Sequence, residues 1–219
     1  MDRNRNTVKI AVAAMFAALA FAATLLGKVV PNVAGFLSYD PKDAVVVIAG
    51  FSLGPWFAAG IALVVSLVEM LTVSTTGLWG LLMNVLSTCS FAIPAAFLYQ
   101  KNRSRNSALT GLASGVLAMV LSMTLWNWLI TPIYMGVPRE VVVGMLLPTF
   151  IPFNLVKGGM NAALTLLLYK PLVSALRRMK LMPPSDGSPR FSLRTILVPI
   201  LLLIAFVLAF LFLAGVLRF

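Results

Sequence analysis

Apolar runs recur along the whole chain, at about residues 8–27, 43–53, 55–74, 78–100, 107–134, 148–176 and 195–217. A helix needs roughly 20 mainly apolar residues to cross a ~30 Å hydrocarbon core, and most of these runs reach that length. Sixty per cent of the residues are hydrophobic and 11% are charged, with a mean hydropathy of +0.99. A water-soluble domain of 219 residues has no use for so much apolar surface. The expectation is an all-α integral membrane protein that crosses the bilayer several times. MDRNRNTVK leads into the first run without a credible cleavage site, so this run reads as a first membrane helix and not as a removed signal.

The second and third runs are ambiguous, because 45–73 can also be read as one long helix. Charge parity decides. With Arg3, Arg5 and Lys9 cytoplasmic, a single 45–73 span would place Lys101, Arg103 and Arg105 outside. A break at Gly54-Pro55 puts that loop inside instead. Twelve of the 17 basic residues then face the cytoplasm, as the positive-inside rule expects. This ordering puts the N-terminus in the cytoplasm and the C-terminus outside. It leaves a second helix of about twelve residues, ~18 Å long, which must be sheltered by its neighbours. Residues 1–180 then form a six-helix unit and 181–194 (LMPPSDGSPRFSLR) a cytoplasmic linker. Residues 195–219 add a seventh helix, whose apolar run up to Leu217 has no polar side chain to offer a ligand beyond its start at Thr195.

The net charge of +11 follows from this asymmetry and does not point to nucleic acid. Cys89 is the single cysteine and there is no histidine, which excludes an internal disulfide, cysteine-cluster metal sites and histidine chemistry. No GxxxxGK[ST] loop occurs, so the chain does not hydrolyse ATP through a P-loop. No Ser/His set or paired carboxylate marks an enzyme.

Polar residues inside the spans gather at one depth. Asn84, Asn127, Asn154 and Lys157 fall in the outer third of three helices, and Glu69 lies one turn from the outer end of a fourth. Asn154, Lys157 and Asn161 share a face at i, i+3 and i+7. Each has two readings. Lys157 either snorkels to the outer interface or turns inward. The asparagines either tie helices together or line a cavity, and Glu69 reads as a rim partner for Lys28 or Lys42 and as the only acid within a span. Met123, Trp126, Trp128, Tyr134, Met135, Phe36, Leu37 and Tyr39 belong either to such a cavity or to an interfacial aromatic belt. Polar groups converging inside a membrane suggest a site, and this set suits a planar, uncharged ligand with polar edges. In AVAAMFAALAFAA (11–23), Ala14, Ala18 and Ala22 form a small-residue row, which packs either within the protein or against a partner.

Four stretches carry a family resemblance: FLSYDPKD followed by GFSLGP (36–55), MNVLSTCSF (83–91), LWNWLITPIYMG (125–136) and IPFNLVKGGMNAALTLLLYKPL (151–172). They resemble the riboflavin-specific substrate-binding (S) components of energy-coupling factor (ECF) transporters, the RibU type, over roughly residues 7–178. The resemblance implies a six-helix S-component bundle, from which this chain departs by its linker and an appended seventh transmembrane helix. It also implies high-affinity capture of riboflavin from the outer face of the cell membrane. A transmembrane coupling subunit and two ATPase subunits would drive delivery inward, with no cofactor and no nucleic-acid partner. By the same resemblance the riboflavin contacts are Leu37, Ser38, Tyr39, Asp40, Asn84, Asn127, Asn154 and Lys157. Ala14 and Ala18 would dock on the coupling subunit. Glu69 has no counterpart there. The competing readings are an S component for another vitamin and a stand-alone secondary transporter. The latter would require inverted repeats or a mid-membrane carboxylate. Flavin mononucleotide stays open as a second ligand.

Overall fold

The computed structural model describes residues 2–179 and 193–217. Its helices are α1 (Asp2–Gly27), α2 (Lys42–Leu53), α3 (Pro55–Thr72), α4 (Gly77–Asn102), α5 (Arg105–Leu129), the short α6 (Thr131–Met135), α7 (Arg139–Met145), α8 (Ile151–Arg178) and α9 (Leu193–Leu213). A π turn over Leu146–Phe150 joins α7 to α8. No strand occurs among the described residues; the only β pairing there is a single bridge between Val33 and Leu37. Six of the helical runs are long and apolar enough to cross a membrane. The chain is therefore an all-α membrane bundle.

The break at Gly54-Pro55 is where the charge pattern placed it. Gly54 takes φ 110°, a conformation open mainly to glycine, and Pro55 opens α3, where its missing N–H costs nothing. α2 has 12 residues, and every one from Lys42 to Phe51 is buried. It packs against α1, α3, α4 and α8 and so forms the centre of the bundle. Its shortness costs little, because protein and not lipid surrounds its ends.

Small residues set the closest helix contacts. Gly111 and Gly115, one turn apart on α5, lie against the α4 backbone at Ala95 and Phe91. A Cβ at Gly111 would come within 2.7 Å of the Ala95 carbonyl oxygen, so α4 and α5 pack backbone to backbone. On α8 the adjacent pair Gly158 and Gly159 does this in two directions. A Cβ on Gly158 would come 2.9 Å from Met119 of α5, and one on Gly159 would overlap the Phe206 ring of α9.

Two boundaries differ from the sequence expectation. The run 107–134 is not one helix: α5 stops at Leu129, and Pro132 sits in the opening turn of α6, because a proline cannot donate into the preceding turn. The last span of the six-helix unit does not begin near residue 148. Helix extends from Arg139 to Arg178, 40 residues, and the π turn over Leu146–Phe150 contains Pro148 and is followed by Pro152 in the first turn of α8, so donors are missing there. The proposed linker 181–194 lies almost wholly outside the described residues.

On α1, Val12, Phe16, Ala20 and Thr24 form the buried stripe at i+4 spacing. Ala14, Ala18 and Ala22 are exposed on another face, so this small-residue row is not used for packing within the chain.

Candidate functional site

The segment between α1 and α2 makes one wall of the site. Two backbone hydrogen bonds pair Val33 with Leu37, each amide donating to the other's carbonyl, at 2.9 and 3.0 Å. The reversal between them uses Ala34 and Gly35 at φ 52° and 82°. The segment then folds back across the end of α1. Gly27 permits this, since a Cβ there would lie 2.7 Å from the Tyr39 carbonyl oxygen. Ser38 Oγ donates to Asn32 Oδ1 at 3.0 Å. Tyr39 Oη donates to Asn161 Oδ1 at 3.3 Å, and Asn161 Nδ2 donates to the Asp40 carbonyl oxygen at 3.1 Å.

Behind this wall lies a cavity of about 310 Å³. Leu37, Ser38, Tyr39, Asp40, Asn84, Asn127, Asn154 and Lys157 all line it. The structure therefore brings the eight residues implied by the resemblance to one place, from the α1–α2 segment, α4, α5 and α8. Asn161 is fully buried and does not line the cavity; it fastens the wall to α8. The apolar lining includes Phe36, Met83, Met123, Trp126, Tyr134, Met135 and Phe153. Trp128 does not join it; its ring is partly exposed beside the Arg139 guanidinium, 5.1 Å away.

Four charged residues of the lining, Lys28, Asp40, Glu69 and Lys157, are held in ion pairs that Lys42 and Asp43 complete from behind it. Lys42 pairs with Asp40 and, at 2.7 Å, with Glu69 Oε2. Lys28 reaches Glu69 Oε1 at 3.1 Å, and Asn84 Nδ2 donates to Glu69 Oε2 at 3.0 Å. Lys157 Nζ lies 3.4 Å from Asp43 Oδ2 and donates to Ser87 Oγ at 3.3 Å. Asp43 Oδ1 also accepts from Thr88 Oγ1 at 2.6 Å. Three lysines and three carboxylates thus meet around one cavity, and their formal charges cancel. The remaining amides are held locally. Asn127 Nδ2 donates to the Met123 carbonyl and its Oδ1 accepts from Thr131, both at 2.8 Å. Asn154 Nδ2 donates to the Phe150 carbonyl at 2.8 Å.

Burial opposes ionisation of Asp40, but the ammonium groups of Lys42 and Lys157 outweigh it and hold the carboxyl below its usual range. Burial, with Asp43 and Asp40 nearby, pushes the Tyr39 phenol up, so it remains a hydrogen-bond donor.

One open reading is decided by the structure, and two details depart from the sequence reading. Lys157 does not snorkel: it is 6% exposed and turned into the bundle. Glu69 does pair with Lys28 and Lys42, yet it lines the cavity and is 4% exposed, so it is more than a rim residue. Asp43 was missed. It sits fully buried in the first turn of α2, so Glu69 is not the only acid within a span. The signal was the pair of acids flanking a lysine in SYDPKD, ahead of an apolar run. No group of three or more metal-binding side chains occurs among the described residues.

The family model for the substrate-specific component of ECF transporters matches residues 8–169. The riboflavin transporter RibU of Staphylococcus aureus (strain TCH60) is 28% identical over 186 residues, which span 82% of this chain and 96% of that protein. A solved structure, described as the S component of a bacterial ECF transporter, superposes with a TM-score of 0.67 at 29% identity. The match covers 80% of this chain and 99% of the other. With the family pattern running from α1 into α8, the chain belongs to the substrate-specific components of ECF transporters.

Proposed function

We propose that the cavity binds riboflavin, and that this chain is the riboflavin-capturing subunit of an ECF-type importer. The observation that carries the reading is the charge-balanced cavity of about 310 Å³, lined by amides and a lysine together with aromatic and methionine side chains. Small-molecule pockets begin near ~300 Å³, are mostly apolar and hold a few placed polar groups. The pyrimidine edge of an isoalloxazine alternates acceptors with one N–H, which Asn127 and Asn154 can complement through both amide groups. Lys157 can donate to a carbonyl or a ribityl hydroxyl. The likeness to RibU supports the same ligand.

Because the three lysines are already matched by Asp40, Asp43 and Glu69, the cavity offers no surplus positive charge to a phosphate. Flavin mononucleotide is expected to bind more weakly than riboflavin. Riboflavin is cargo in this reading, and the chain performs no chemistry on it. The N-terminus faces the cytoplasm, the cavity opens to the outside of the cell membrane, and α9 ends outside. The exposed Ala14 and Ala18 then provide a close-approach surface for the coupling subunit, with two ATPase subunits supplying energy. The test is the absorption spectrum of the purified protein. A copurified flavin band that is released on denaturation supports the reading. A colourless protein that also takes up no added riboflavin removes it.

A further inference from the structure

The family pattern ends at residue 169, before α9 begins at Leu193, and the structure shows what α9 touches. It runs along α8, and the notch at Gly159 receives the Phe206 ring. Most of its side chains are exposed, but Phe210 is 1% exposed. Its ring meets Tyr39 edge-on at 5.8 Å between centroids and lies 6.4 Å from Phe153. Both of those residues line the cavity, and Phe210 itself does not. Tyr39 is therefore held at two points: its hydroxyl by Asn161 of α8, and its ring by Phe210 of α9. Val33, Leu37, Phe150 and Val156 complete an apolar cluster around these rings, separate from the main core of the bundle.

We propose that α9 is a brace for the ligand-binding wall, with Phe210 as a positioning residue that holds Tyr39 and so sets how firmly residues 28–41 close over the cavity. The ring geometry explains why an otherwise lipid-facing helix carries one fully covered aromatic at the depth of the site. It also explains the glycine at position 159, since a side chain there would push Phe206, and α9 with it, away from α8. The part of the statement that concerns the wall stands on these contacts alone; the part that concerns ligand retention rests on the riboflavin reading.

The experiment compares full-length wild type, Phe210→Ala, Phe210→Leu and the lipid-facing control Leu208→Ala. Two readouts are taken: amide hydrogen exchange of residues 29–40 without ligand, and riboflavin dissociation kinetics. An aromatic pair contributes roughly 0.5–1.5 kcal/mol beyond its burial, so Phe210→Ala should release riboflavin about 2- to 12-fold faster. Exchange across 29–40 should also be faster. Phe210→Leu should recover part of both effects, and Leu208→Ala should change neither. If Phe210→Ala does not fold, the Leu variant carries the same comparison. Unchanged exchange in the Phe210 variants overturns the brace. So does faster exchange with unaltered riboflavin release, or an equal effect from Leu208→Ala. Should wild type bind no riboflavin at all, the ligand assignment fails, while the exchange comparison still decides whether α9 holds the wall.

Discussion

An ammonium group buried among helices needs a counter-charge, and for Lys157 this is Asp43, itself wholly buried at the start of α2. Removing one partner of such a pair leaves an uncompensated charge, at a cost of about 3–5 kcal/mol. Asp43→Asn and Lys157→Met should each lower thermal stability markedly. The double variant should be more stable than the sum of the two losses predicts, a coupling that a thermodynamic cycle measures. Additive losses would show that the 3.4 Å approach contributes nothing. For binding, Asn154→Ala should weaken riboflavin affinity about 5- to 150-fold, the equivalent of ~1–3 kcal/mol for a lost buried partner. If the folded variant binds as wild type does, Asn154 serves only its bond to the Phe150 carbonyl. At this scale the sequence was partly legible. The i, i+3 spacing of Asn154 and Lys157 put both on one face, and both do line the cavity. Asn161, one turn further, follows the same spacing but points at the α1–α2 segment. Helical periodicity gives direction around an axis and says nothing about which neighbour waits there.

At the scale of elements, hydropathy and charge asymmetry were enough to find the break at Gly54-Pro55 and the short second helix. Both follow from one-dimensional rules about length and basic loops. The break after Leu129 and the π turn after Met145 were not found, because a proline near a helix end is compatible with continuation, with a kink or with a stop. The surface formed by Ala14 and Ala18 could not be assigned from sequence either, since small residues serve internal and external contacts equally well. In the structure that face is exposed. Ala14→Trp or Ala18→Trp should therefore leave riboflavin binding intact and abolish uptake or association with the coupling subunit. Loss of binding in either variant would show that this face supports the bundle itself. Gly115 is a contrasting case. Its missing Cβ lets α5 lie against the Phe91 backbone, so Gly115→Leu should destabilise the fold and reduce flavin binding together.

For the whole molecule, the arrangement is a helical bundle with one wall made by the segment between α1 and α2, and ion pairs join the two. Lys42 links Asp40 of the wall to Glu69 of α3, and Lys28 reaches the same glutamate from just beyond α1. The pH response follows from Asp40. Its carboxyl is held below the ordinary 3.8 in the folded protein, so its contribution to stability is complete above that value and is lost as the pH falls through the lower folded value. Riboflavin retention and thermal stability should therefore not depend on Asp40 titration at mildly acidic pH, around 5–6. A transition near pH 6 that Asp40→Asn removes would contradict this placement of the charge. The most direct test of the central claim is an equilibrium titration of purified, ligand-stripped protein followed by riboflavin fluorescence, with flavin mononucleotide and thiamine as competitors. The account predicts saturable quenching by one site per chain, weaker competition by the mononucleotide, none by thiamine, and loss of quenching in Lys157→Met. Absence of quenching at micromolar protein, or equal competition by thiamine, would contradict it.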